Sequence, residues 1–151
     1  MKQVFKEYLE KKKIFNFPQA KVLVKKELNT ALDDLNEAKD RFKNKKYKYA
    51  TINAYYATFH AARALLYSKG YRERSHYALT IAIETLFVET GILGKRFIRI
   101  LRDGMSLRED ADYRGDFSKE GASLSISNAT EFIDKAKELL AKTTTSNSSN
   151  T

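Results

Sequence analysis

The chain of 151 residues contains no cysteine, no tryptophan and a single proline, and each scarcity removes a class of protein. Without cysteine there is no disulfide framework and no thiolate metal site, which agrees with a reducing compartment. One proline and six glycines are too few breakers for a sandwich or barrel, whose short strands need turn residues about every ten positions. The first residues, MKQVFKEYLEKKK, alternate charge with apolar side chains, so neither a secretory signal nor a membrane span is expected there, and the expected localisation is cytoplasmic. Glycine-rich phosphate loops are missing as well. Gly91 and Gly94 flank Ile-Leu without a following Gly-Lys-Ser/Thr, and no Gly-x-Ser-x-Gly elbow occurs. His60 and His76, the two histidines, stand outside any metal-ligand spacing, so neither a metal nor a cofactor is expected.

What remains is 42% hydrophobic and 31% charged, a composition for one helical domain. The net charge of +9 is uneven: residues 1–50 carry 14 Lys and Arg against 7 Asp and Glu, whereas the rest is nearly balanced. That asymmetry suits an anionic partner, and equally a lysine-rich solvated surface.

Apolar periodicity predicts the helices. Val4, Phe5, Tyr8 and Leu9 mark a short leading helix that ends before Pro18. From Pro18 to about Phe42, the residues Leu28, Ala31, Leu35, Ala38 and Phe42 form one buried stripe. The segment from about Tyr47 to Ser68 is apolar over most of its circumference, predicting the central helix, with Gly70 as its stop. Ser75 caps a fourth helix reaching Gly91, a fifth runs from about Leu93 to Asp112, and a sixth opens near Ser118. In the sixth, Ala122, Ile126, Ala129, Ile133, Ala136 and Leu140 alternate steps of four and three, fit to cover a bundle groove or a second subunit. Residues 1–142 therefore form one domain, and 143–151 a polar tail expected to be disordered.

Three side-chain groups are candidates for chemistry. Tyr56, His60 and Arg63 share a face of the central helix at i, i+4, i+7, although the plainer reading of such residues is packing. Lys95, Arg99 and Arg102 repeat the spacing, on a helix whose basic start and acidic end oppose its macrodipole. They form either a phosphate-binding stripe or an ordinary solvated face. Arg108 and Asp112, i and i+4, are a surface pair worth about 0.3–0.5 kcal/mol or, alternatively, a cleft arginine held by its aspartate.

Taken in order, Asn53-Ala-Tyr-Tyr-Ala-Thr-Phe-His-Ala-Ala-Arg-Ala-Leu-Leu66, Gly70, Arg74-Ser-His76, Leu86-Phe87, Gly91 and Leu107-Arg-Glu-Asp-Ala-Asp-Tyr113 resemble the prokaryotic HEPN domain (higher eukaryotes and prokaryotes nucleotide-binding). The resemblance covers about residues 20–140. It implies an all-α, up-and-down bundle of four to five long helices plus the short N-terminal one, commonly homodimeric. It also implies nucleotide or RNA transactions, often in a toxin-antitoxin pair with a small nucleotidyltransferase partner. Active HEPN ribonucleases carry Arg followed after four to six residues by His, in a dimer-interface cleft that cuts RNA without metal. Here Arg108 is followed five residues on by Tyr113, no His follows it, and Arg72 and Arg74 stand too close to His76 to supply the spacing.

Tyrosine, with an ordinary pKa near about 10, is a poor general base at neutral pH. The expected function is therefore a nucleotide- or RNA-interacting component with an incomplete ribonuclease motif. Arg108 would contact phosphate, Asp112 orient it and Tyr113 line the cleft, with Tyr56, His60, Arg63 and His76 in support. Two alternatives stand beside it. One is an active metal-independent ribonuclease toxin using Tyr113 or His60 in place of the absent histidine, and the other is a structural dimerisation partner. Five residues span about 140° of a regular helix, so a cleft shared by Arg108 and Tyr113 calls for a distorted helix end or a second subunit.

Overall fold

The computed structural model describes residues 3–149, with side chains described as far as Lys142. Helix α1 (Gln3–Glu10) buries Phe5, and a tight turn with Lys12 at positive φ leads into strand β1 (Ile14–Asn16). Helices α2 (Val24–Lys43), α3 (Tyr47–Ser68), α4 (His76–Ile83), α5 (Lys95–Tyr113) and α6 (Lys119–Ser149) follow, with strand β2 (Tyr71–Glu73) between α3 and α4. Of the tail expected to be disordered at 143–151, only the backbone as far as Ser149 is described, as the end of α6, and residues 150–151 lie outside the described residues.

The bundle is organised around α3. Thirteen of its 22 residues are buried, six of them alanines whose small side chains let α2, α5 and α6 approach. On α2 the expected stripe faces α3, with Ala31, Leu35 and Ala38 buried and Leu28 and Phe42 half-buried. Helix α6 lies in the groove between α2 and α3 and buries Ala122, Ala129, Phe132, Ile133 and Ala136. The wrapping of α3 is thus completed by its own chain. Exposed apolar side chains at the α5–α6 corner include Tyr113, Phe117 and Leu124.

Local signals set most boundaries. The Ser75 hydroxyl accepts a hydrogen bond from the Ala78 N–H at 3.0 Å, capping α4, and the Ser118 hydroxyl accepts one from Gly121 at 2.9 Å at the start of α6. Two segments differ from expectation. Pro18 opens a six-residue 3-10 segment (Pro18–Leu23) rather than the first turn of α2, whose regular geometry begins at Val24. The fourth helix passes at Glu84 into a π-helical turn (Glu84–Val88) that buries Phe87.

One element was not expected at all: β1 and β2 pair antiparallel, with Ile14 opposite Glu73, Phe15 opposite Arg72 and Asn16 opposite Tyr71. Gly70, at φ +80°, turns the chain out of α3 into β2, and Phe17 N–H donates to its carbonyl at 2.7 Å. Strands of three residues carry no periodicity by which a sequence reading finds them. Among the described residues no helix is long and apolar enough to cross a membrane.

The core makes a quantitative prediction. Phe132, 1% exposed on α6 and packed edge-on to Phe97, should cost about 3–5 kcal/mol when replaced by alanine. Val22→Ala, at a position 81% exposed, should change stability by less than about 0.5 kcal/mol. Urea unfolding followed by circular dichroism reads both.

Candidate functional site

The polar edge of α3 and the end of α5 form one arrangement. Arg108 projects from α5, its side chain only 13% exposed, and its Nη2 donates to the Tyr56 hydroxyl at 2.9 Å. The guanidinium lies 5.5 Å from the Tyr56 ring centroid and 5.1 Å from that of Tyr113. Asp112 is farther, at 3.6 Å, so Tyr56 rather than the i+4 carboxylate is the nearer polar partner. Arg108 Nε is buried without a hydrogen-bond partner among the described residues. No distortion brings Arg108 to Tyr113: α5 stays helical through Tyr113, and the length of the arginine arm covers the angle. The turn comes afterwards, at Gly115 with φ +67°.

His76, the first residue of α4, enters from the other side. Its ring stacks on Phe59 at 4.4 Å, lies 5.5 Å from the Tyr55 ring and meets Tyr56 edge-on at 6.2 Å. Its Nδ1 shares a 2.6 Å hydrogen bond with the Tyr55 hydroxyl. Burial first, and then the positive field of Arg108 and Arg63, hold His76 below the ordinary imidazole range. Burial likewise pushes the Tyr55 phenol well above its usual value, so Tyr55 stays a neutral hydrogen-bonding group. Gly104 of α5 makes room for this ring, since a Cβ there would stand 3.3 Å from Tyr55 Cδ1.

Tyr56, His60 and Arg63 share an edge of α3 as their spacing predicts, but each has a different closest partner, although Arg63 also stands 3.8 Å from Glu27, the partner of His60. His60 turns to α2, with Nδ1 2.6 Å from Glu27 and Nε2 3.8 Å from Asp34. Arg63 turns to the ribbon, where its Nε donates to both Glu73 oxygens, at 2.9 and 3.3 Å, while its guanidinium covers Phe59 at 4.6 Å. The Glu73 side chain is 1% exposed, and burial lifts its carboxyl above the usual range against the pull of Arg63. Losing Arg63 would strand a buried carboxylate, the costly way to break such a pair.

Lys95, Arg99 and Arg102 do not join this group. All three are exposed, Arg102 binds Glu84 at 2.7 Å, and Arg99 stands nine residues before Arg108, about 180° round the helix. The sequence reading missed Tyr55, Phe59 and Glu73. Glu73 becomes visible only once the ribbon places it beside Arg63, and Tyr55 only once α4 is seated. No group of three or more His, Asp or Glu side chains able to hold a metal stands together among the described residues.

The fold and this geometry define a helical bundle with an arginine enclosed by two tyrosine rings, its nearest carboxylate, Asp112, standing at 3.6 Å. The comparisons are more specific: the chain belongs to the HEPN domain family, whose model matches residues 24–144. It is also 35% identical over 83 residues to a Methanocaldococcus jannaschii protein named "Putative toxin MJ0605". That match covers 54% of this chain and 62% of the relative's length.

The His76 environment predicts a pH dependence. A folded-state pKa below the unfolded value near about 6.5 gives a contribution to stability that is present above that pH. It is lost as the pH falls through the folded value, because the unfolded chain then binds the extra proton. Tyr55 hydrogen-bonds the ring, Phe59 stacks on it and Tyr56 meets its edge, Arg108, Arg63, Glu109 and His60 act on it electrostatically, and His76→Asn removes the titrating ring together with its Tyr55 hydrogen bond. Urea unfolding from pH 7.5 down to about 5 should show a shallower loss in His76→Asn than in the parent. An equally steep loss in both would refute the assignment.

Proposed function

We propose that this HEPN protein binds a phosphate of nucleotide or RNA at Arg108, as one component of a toxin-antitoxin-like pair. The observation that carries the reading is the state of Arg108. A guanidinium only 13% exposed is kept charged against its burial by Tyr56, Tyr113 and Asp112, yet its closest acceptor is a phenol hydroxyl and its carboxylate stands no nearer than 3.6 Å, which leaves donors of the fork for an anion. A phosphate supplies the charge and the forked acceptors that such a group lacks. Asp112 keeps the arginine near its ring partners, and the exposed Tyr113 lines the mouth of the site.

The match to a protein named as a toxin supports the pair, and a small nucleotidyltransferase is the partner the family resemblance implies. Tyr113, Phe117 and Leu124 supply the apolar surface for a homodimer beside the site. Binding suits this site better than cutting, because Tyr113 stands where active relatives place the base.

One observation favours a second reading, a metal-independent ribonuclease. His76 reaches the Tyr56 side of the site from α4, and its environment keeps it neutral and able to accept a proton. His60, hydrogen-bonded to Glu27 and close to Asp34, serves that role less well.

Arg108→Ala should weaken RNA or nucleotide binding by about 1–3 kcal/mol, measured by fluorescence anisotropy. A change near zero would return Arg108 to the status of a surface partner of Asp112. In EDTA the parent protein should leave RNA essentially intact, and Tyr113→His should introduce weak cleavage by placing a group that titrates near neutral pH beside the arginine. Cleavage by the parent that is lost in His76→Asn would establish the second reading instead; loss in Tyr113→Phe would assign the chemistry to Tyr113. Sedimentation at tens of micromolar, an order-of-magnitude choice, should show a dimer, since an interface of standard size holds well below that range.

A further inference from the structure

Beside the Arg108 site, a cleft of about 610 Å³ opens between the ribbon, α3 and the start of α4. This is the size of a ligand pocket, about 300–1,000 Å³, yet its chemistry is cationic. Arg63, Arg72 and Arg74 line it against one carboxylate, Glu73, which Arg63 already engages through two hydrogen bonds. Among the described residues neither Arg72 nor Arg74 forms an ion pair, although Arg72 lies in the field of Glu73. Both lie over rings: the Arg74 guanidinium is 4.5 Å from the Phe15 centroid, and that of Arg72 is 5.4 Å from Phe17. Arg74 is fixed further by donating from Nε to the Lys12 carbonyl at 2.8 Å. A guanidinium plane backed by phenylalanine offers its open face to a nucleobase and its edge to a phosphate.

The cleft and the Arg108 site adjoin at His76. His76 lines the cleft and touches the Tyr56 ring, over which Arg108 lies. From Tyr56 to Arg63 is two turns of α3, about 10 Å, farther than one phosphate reaches and within the span of a few linked nucleotides. We infer that the ribbon cleft takes the nucleotides of a single-stranded RNA that flank the phosphate held at Arg108, with Arg72 and Arg74 as its contacts. The inference rests on the reading of Arg108 as a phosphate contact and adds a strand to it. A duplex keeps its bases stacked inside and cannot lay one on Arg74, whereas a lone nucleotide occupies one end of the track only.

The test is titration of the full chain with a labelled single-stranded RNA of about ten nucleotides, the matching duplex, and AMP, over a range of salt concentrations. For Arg72→Gln/Arg74→Gln, the slope of log affinity for the single strand against log salt should shrink by about 1.4, two contacts at about 0.7 each, with AMP affinity unchanged. The parent should prefer the single strand to the duplex. If the double variant keeps the parent slope and affinity while Arg108→Ala loses binding, the cleft assignment is overturned and the Arg108 reading stands. If neither variant alters binding, both readings fall, and a preference for duplex also overturns the strand assignment. Should loss of the Arg74–Lys12 tie unfold the ribbon, Arg72→Gln alone should still remove about 0.7 from the slope, and an unchanged slope there overturns the inference.

Discussion

Helix α3 is wrapped on nearly every side, and the rest of the molecule follows from what that wrapping does to its polar side chains. Its alanines let α2, α5 and α6 close directly on its backbone, leaving little depth between helices for water. The tyrosine, histidine and arginine along its remaining edge must therefore find partners in the protein. Each does so on a different element: Tyr56 on α5, His60 on α2 and Arg63 on the ribbon. These three contacts join the packing of the bundle to the chemistry of its surface.

The ribbon shows why so small an element matters. Its three residue pairs contribute little by themselves, since a lone two-stranded ribbon is marginal in water. Packed against α3 and α4, it brings Glu73 to Arg63, and it holds Arg72 and Arg74 against Phe17 and Phe15. A segment that reads as a loop thus supplies one wall of a cationic cleft. Its neighbour His76 is bounded by Tyr55 and Phe59 on its ring faces and by Tyr56 at its edge, and so belongs to the cleft and to the Arg108 site at once. Changes at either place should be felt at the other through that one ring.

The absence of a histidine after Arg108 also takes on a physical meaning. Tyr113 is exposed and its ring lies 5.1 Å from the arginine guanidinium, a geometry that helps to hold the guanidinium in place. The histidine that is present reaches the neighbourhood from a different helix and hydrogen-bonds a buried tyrosine. The arrangement thus sets Arg108 between two tyrosine rings, with a histidine brought to the edge of one of them by α4.

The sequence by itself determined the helices, their order and most of their ends, because burial repeats at the helical period and serine and glycine mark termini through local geometry. The stripe Ala31-Leu35-Ala38, the Ser75 cap and the turn at Gly70 are all of this kind. It also determined the family, through Tyr56, His60, Arg63 and the Arg108–Tyr113 run. Which of these residues meet was decided only by tertiary structure. Spacing on one helix puts Arg108 beside Asp112, yet the closer contact is Tyr56, 52 residues away, because α5 crosses α3 at that point. Lys95, Arg99 and Arg102 look equivalent to Arg108 along the chain and face away from it in space. Periodicity is a property of one element, whereas the pairing of a buried charge depends on the elements packed against it, and no local pattern encodes that.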